Sequence, residues 1–362
     1  MAFDCYCAIC GVGFAGLRIG SPSDATTEQR RRRYVERISQ SLNCAGETES
    51  NPQDAEPPIY SYDPRLVDQD NVAWTSQVHC LGMQEDPKGK TKAFISGPGY
   101  YADAGELAVK MGQAAKRTYF GCYGFGTDET PGPVLPFHWC CFEILLRALT
   151  GTTDPRNVNL DALYSAMMSL CNGSGSALRL PYGDDVARAQ GQYWQSLSGA
   201  EYSVRHPINT PDLEGYLRGQ IQTHEKLRSQ PAELDLGQRQ PQNPFGKLPA
   251  EIIYQICSLL PGDSLESLTQ ASLFVHLLTR DDYFWRRFIQ TDMPWLWESQ
   301  TLRRGKDLPT EINYQLLYQL LKRRTTPKYG MEDTTLMSLA NRRRIWNACE
   351  ELSQKYSEVA CA

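Results

Sequence analysis

The chain has no apolar run long enough to cross a bilayer, which takes about 20 consecutive, mostly apolar residues in a helix. Its first residues, MAFDCYCAIC, lack a basic segment leading into an apolar one, so no secretory signal is read there. Positive charge is not in excess. There are 37 Lys and Arg against 42 Asp and Glu, a net charge of -5, which argues against a dedicated nucleic-acid binder. Catalytic signatures are missing as well: no Ser-centred elbow, no Walker loop and no HExxH. Gly97-Pro98-Gly99 and the later Gly121, Gly124 and Gly126 read as turns, because none leads from a strand into a helix with Lys-Ser or Lys-Thr behind it. No repeat of leucine-rich, WD or kelch period supplies a ready-made binding surface. Together these absences point to a cytoplasmic or nuclear protein without a membrane segment. With 362 residues, 41% of them hydrophobic, it has material for two or three domains.

Cysteine, by contrast, is plentiful, with 12 in the chain. They lack the dense, even spacing of a small secreted scaffold, so buried thiols or metal ligands are expected. Cys7-Ala8-Ile9-Cys10-Gly11 is a C-x2-C followed by glycine. That spacing lets two thiolates reach one tetrahedral zinc, and the glycine allows a tight turn behind them. His138-Trp139-Cys140-Cys141 offers H-x2-C, its ends one helical turn apart. Cys7, Cys10, His138 and Cys141 therefore form a candidate zinc site that closes a loop of about 130 residues. Cys5, Cys44, Cys80, Cys122 and Cys140 are the alternatives for its second half. The competing reading makes Cys141 a small core residue and His138 a helix-start residue bonded to backbone.

Along the chain the pattern is α+β: a mixed strand and helix domain over residues 1-225, a linker over 226-243, a helical unit over 244-290 and a helical C-terminal region over 291-362. A helix from residue 24 to about 43 carries Tyr34, Val35, Ile38 and Leu42 on one face. The arginines 30 to 33 on it read as a solvated face rather than a nuclear import signal. Val72-Ala73-Trp74, Val78 to Leu81 and Ala93 to Ile95 read as strands. Helices follow from Pro136, from Asn159 or Asp161 to Leu170, from about Glu311 to Arg324 (stripe Ile312, Leu316, Leu317, Leu320) and from Leu336 to Tyr356. The aromatics between 180 and 216, among them Tyr182, Tyr193, Trp194 and Tyr202, are expected to pack over the first domain.

The stretch Leu248 to Ile289 holds more apolar surface than so small a unit buries alone. Leu248-Pro249 introduces a helix with Ile252, Ile253, Ile256, Leu259 and Leu260 at helical spacing, and Pro261-Gly262 ends it. Asp263 or Ser264 caps a second helix with two stripes: Leu265, Leu268, Ser272 and Val275, and Leu273, Phe274, Leu277 and Leu278. One stripe suffices for a core; a second either meets a partner or is covered by the rest of the chain. A third short helix carries Phe284, Trp285, Phe288 and Ile289.

These residues resemble the F-box, the motif that joins a protein to a ubiquitin ligase. Leu248-Pro249-x-Glu251-Ile252 matches its opening, Leu259-Leu260-Pro261-x-Asp263-x-Leu265 its middle, and Asp282 with Phe284, Trp285 and Arg286 its close. His276-Leu277 departs from the pattern, where a cysteine or basic residue followed by an aromatic is common. With Tyr62 to Leu66, Trp74 to Val78, the two Cys/His pairs and Asn341 to Trp346, most of the chain looks like a group of filamentous-fungal F-box proteins. The resemblance implies a non-catalytic adaptor. Leu248, Pro249, Ile252, Ile256, Leu260, Leu265 and Leu268 would then lie in or beside the contact with a Skp-type protein, which holds a cullin-RING ligase, while the rest of the chain recruits a protein substrate. The alternative is a zinc-stabilised interaction module with no ligase role. A thiol nucleophile at Cys140 or Cys141 with His79 or His138 as base lacks any strained turn or orienting residue in the sequence, so no catalytic residue is assigned.

Overall fold

The structure, a computed structural model, describes residues 4-21, 25-43, 59-85, 88-103, 105-112, 116-124, 132-171, 175-210, 213-223, 244-299 and 312-361. The expected linker, 226-243, and Cys44 lie outside them. Strands occupy the N-terminal half and helices dominate the C-terminal half, so the α+β class holds. None of the described helices is long and apolar enough to cross a membrane. The chain forms two compact units, one of residues 1-210 with 327-362, the other of 211-326. The expected domains divide at other points: here the described residues 213-223 fall in the second unit, and 327-361 in the first.

The first unit begins with a knuckle in which Tyr6 and Gly13 form an antiparallel bridge. Helix α1 (Ala25–Asn43) follows. Its Tyr34 is buried, and Arg30, Arg32 and Arg33 are exposed, but Arg31 turns inward to Ser61 (3.2 Å) and Asp63 (3.9 Å). Helix α2 (Gln69–Val72) runs into a 3-10 turn through Ser76 where a strand was expected. The side chain of Asp68 explains it: its Oδ1 accepts from the Asn71 N–H (2.7 Å) and starts a helical turn that the β-forming Val72 and Trp74 then follow. Strand β1 (His79–Glu85) pairs antiparallel with β2 (Thr91–Ile95) on one side and on the other with the short β6 (Leu135–Phe137). A second antiparallel sheet has β4 (Glu106–Lys110) between β3 (Gly99–Asp103) and β5 (Arg117–Gly121).

The unit's helical layer is α3 (Trp139–Thr150) and α4 (Leu160–Ser169), both packed on the long α12 (Thr334–Ala360). Asn159 caps α4 and Asp333 caps α12 through side-chain oxygens. Leu336, Leu339, Ile345, Cys349 and Leu352 keep the 3.6-residue period and bury the inner face of α12. Helix α5 (Asp184–Ala189) follows, and the residues flanking it bury Tyr182, Trp194 and Tyr202, whereas Tyr193 stays exposed.

The second unit is helical: α6 (Leu213–Thr223), α7 (Ala250–Leu259), α8 (Gly262–Ala271), α9 (Leu273–Leu278), α10 (Asp282–Asp292) and α11 (Tyr314–Arg324). Its core gathers Phe284, Trp285 and Phe288 of α10 against Tyr318 of α11, the Trp285 and Tyr318 rings 5.3 Å apart. The inner face of α11 is Leu317, Tyr318 and Leu321; Leu316 and Leu320 of the expected stripe are only half-buried. The expected second helix is two, because Ser272 leaves helical geometry (φ -130°, ψ 109°) and its side chain caps a fresh start at Val275. Neither Asp263 nor Ser264 caps α8. Its first N–H, on Gly262, donates instead to Asp292 of α10 (3.0 Å), whose other oxygen accepts from the Tyr318 hydroxyl (2.8 Å). Only glycine fits there, since an added Cβ would overlap the Tyr318 hydroxyl.

Candidate metal centre and docking helix

The two half-sites separated by 128 residues meet inside the first unit. Cys7, Cys10, His138 and Cys141 are all fully buried, and their ligand atoms lie within 4.8 Å of one another. The knuckle places the first pair. Gly11 N–H donates to the Cys7 carbonyl (2.8 Å), and Cys10 N–H points at Cys7 Sγ (3.5 Å). Closing this turn puts Gly11 at φ +73°, a region L side chains avoid, and an added Cβ would also strike the Tyr182 ring at 2.6 Å. Ala8 N–H donates to the Pro136 carbonyl (2.7 Å), tying the knuckle to β6 and so to the start of α3.

The second pair sits at that start. His138 is the residue before α3, and Cys141 lies in its first turn, where the positive end of the helix dipole favours a thiolate. His138 Nε2 is 3.0 Å from the Thr75 carbonyl. A carbonyl only accepts, so Nε2 carries the proton and Nδ1 presents its lone pair to the thiols. Nδ1 is 3.4 Å from Cys10 Sγ and 3.9 Å from Cys141 Sγ. A tetrahedron with Zn–S and Zn–N bonds of ordinary length has S···N edges of about 3.6 Å. Phe14 and Trp74, with ring centroids 4.6 and 4.7 Å from the imidazole, hold it in place.

The charges in this pocket are unusual. Burial pushes all three thiols up, and Cys10 and Cys141 stand well above the usual range. At Cys7 burial is outweighed by hydrogen bonds from Cys10 and Cys141 and by His138, so that this thiol falls well below it. A divalent ion is what would let all three thiols ionise.

Cys5, Cys80, Cys122 and Cys140 lie outside the quartet. Burial pushes the Cys80 thiol up to about 12, the behaviour of an inert core residue. The sequence reading missed Thr75, which orients the imidazole, and Arg344, whose Nη1 donates to the carbonyls of Cys10 (2.6 Å) and Tyr182 (2.9 Å). A carbonyl acceptor leaves no trace in sequence. The Asn341 to Trp346 run entered the sequence reading only through the family resemblance, with no role given to Arg344.

In the second unit α7 has two unlike faces. Ile253 and Cys257 are buried, whereas Leu248, Ile252, Ile256 and Leu259 are exposed, Leu259 at 84%. Residues 252, 256 and 259 follow at helical spacing and form one aliphatic stripe; Leu248, ahead of the N-cap, is exposed as well. Pro249 is exposed as the helix N-cap, outside the first turn in which it was expected. Of the other expected partner contacts, Leu260 and Leu268 are half-buried and available in part. Leu265 is not: it is fully buried, its side chain facing inward from the first turns of α8. On α9, Leu273 adds a further exposed apolar side chain.

No protein-family model, curated protein or solved structure matches the chain.

Proposed function

We propose that the chain is an F-box-type adaptor that docks on a Skp-type protein through the aliphatic stripe of α7 and brings a protein substrate to a cullin-RING ligase. The observation that carries the reading is that Ile252, Ile256 and Leu259 remain exposed on a helix whose other face is already packed, with Leu248 exposed just ahead of it. Covering the exposed parts of these side chains contributes on the order of 3–6 kcal/mol to an interface. Since no family model matches, the proposal rests on that helix and its motif residues, not on a family assignment. The mechanism is proximity: the ligase's charged conjugating enzyme supplies the reactive thioester, and the adaptor raises the local concentration of substrate beside it.

In the same proposal the buried quartet of Cys7, Cys10, His138 and Cys141 holds zinc as a structural ion. Four protein ligands leave no open position for substrate, and full burial supports a structural over a catalytic role, including for the Cys141 and His138 pair. The zinc would hold the N-terminal knuckle on α3.

A second reading is a zinc-stabilised interaction module with no ligase role, which the buried quartet supports without calling on the α7 face. Binding of the purified chain to a Skp-type adaptor separates the two. The adaptor reading expects a complex that is lost on the double substitution Ile252→Lys/Leu259→Lys, with the circular dichroism spectrum unchanged. No complex with the unsubstituted chain leaves the interaction module as the surviving reading.

A further inference from the structure

Arg344 is 3% exposed, and its guanidinium meets only neutral acceptors. Nη1 donates to the carbonyls of Cys10 (2.6 Å) and Tyr182 (2.9 Å), and Nε and Nη2 donate to Oδ1 of Asn341 (3.2 and 2.8 Å). Asn341 is itself held by its amide, which donates to the Arg205 carbonyl (2.7 Å). The donors are therefore satisfied while the charge is not: no carboxylate pairs with Arg344 among the described residues. A buried cation left in that state costs several kcal/mol. The quartet next to it has the opposite imbalance. Zinc bound by three thiolates and a neutral imidazole carries one negative charge in excess.

We propose that Arg344 is the counter-cation and positioning residue of the metal centre. Its fork fixes the Cys10 carbonyl, and with it the turn that aims Cys10 Sγ, while its charge offsets the surplus of the three thiolates. A planar fork suits this place better than an ammonium, because three separate oxygens at fixed positions must be met at once. The inference rests on the zinc reading. It goes beyond it by assigning α12 a part in metal binding: the ion is held by the knuckle and α3, and its charge is balanced from the C-terminal helix.

The test uses the full chain, stripped of metal and titrated with cobalt(II) and then zinc(II), with circular dichroism as the check on folding. Arg344→Met is expected to weaken zinc binding by about 10–100-fold, the usual loss when an outer-sphere partner of a metal ligand is removed. It is also expected to raise the pH at which half the zinc is released, by a few tenths of a unit. Arg344→Lys, which keeps the charge, should recover most of the shift in release pH. The charge role is isolated by Cys141→His, which replaces one thiolate with an imidazole and makes the centre neutral. In that background Arg344→Met should weaken binding several-fold less, since only the positioning of the Cys10 turn is then lost and no surplus charge remains to be offset. Should Arg344→Met fail to fold, Arg344→Gln keeps N–H donors without charge and is expected to give the same results. An equal loss in both backgrounds, or no loss in either, overturns the role given to Arg344. A wild-type chain that takes up no stoichiometric metal overturns the zinc reading itself, a distinguishable failure.

Discussion

With zinc bound as proposed, its removal should loosen the first unit by an amount set mainly by chain entropy. The quartet joins residues 128 apart. Treating the ion as a cross-link between them, the loop-closure relation gives about 5 kcal/mol of stabilisation at 25 °C. The figure depends on residual structure in the unfolded chain, and metal–ligand enthalpy comes in addition. Cys7→Ser leaves three ligands and should forfeit most of this. Cys80→Ser, at an equally buried thiol outside the quartet, should cost only the ordinary small loss of a core substitution. Unfolding in urea, followed by tryptophan fluorescence, is the assay. Trp74 is a built-in reporter, its ring 4.7 Å from His138 and its indole N–H bonded to the Val204 carbonyl (2.9 Å). The chelated protein and Cys7→Ser should unfold at similarly lowered urea concentrations, and zinc should restore only the chelated wild type. Stability that changes by less than about 0.5 kcal/mol on chelation would refute the cross-link argument, because no loop of this length closes at so small a gain.

Three further predictions follow from single residues. Leu259→Ala should leave stability within about 0.5 kcal/mol yet weaken adaptor binding by about 10–50-fold, whereas Ile253→Ala, on the buried face of the same helix, should cost about 2–5 kcal/mol of stability; calorimetric binding and urea unfolding of the pair check this, and equal effects would contradict the two-faced helix. Glu201 accepts N–H bonds from Asp63 (2.9 Å) and Gly199 (2.7 Å), and burial pushes its carboxyl up to about 7 against those bonds, with Asp63 adding to the rise. The native state thus binds this proton more tightly than the unfolded chain, so the contribution is complete below about pH 4.5 and is lost as pH rises through 7, about 3 kcal/mol in all. Thermal unfolding of wild type and Glu201→Gln across pH 4.5–7 should show the slope only in the former. Gly262→Ala should destabilise the second unit by about 1–3 kcal/mol through overlap with the Tyr318 hydroxyl, and adding Tyr318→Phe should recover part of that loss in urea unfolding.

What could be read from the sequence is what local spacing encodes. The apolar positions of α12 keep the helical period through a long stretch, and C-x2-C-G and H-x2-C are spaced as ligand pairs, so these features were legible without coordinates. That the two pairs meet is a long-range fact, but chemistry suggested it, because each pair alone is half a tetrahedron. The misreadings share a cause. Val72-Ala73-Trp74 has strand-forming side chains, yet one carboxylate at Asp68 starts a helical turn. The run from Leu265 to Leu278 keeps helical spacing across Ser272, and a side chain that caps rather than continues breaks it. Leu265 matches the F-box pattern and still belongs to the core, since a motif records residue type and not which way the side chain faces. Arg344 was illegible for a different reason: its acceptors are carbonyls 162 and 334 positions away, and Arg-rich runs read as solvated.

The first unit is assembled from two stretches of the chain, with residues 211-326 inserted between them. Synthesis proceeds from the N-terminus, so every residue of the second unit leaves the ribosome before α12 does. The cysteines and histidine of the quartet emerge still earlier, yet the helix that completes their surroundings follows the whole second unit. A nascent chain halted before residue 327 would therefore carry a finished second unit while the first still lacks the helix that closes it.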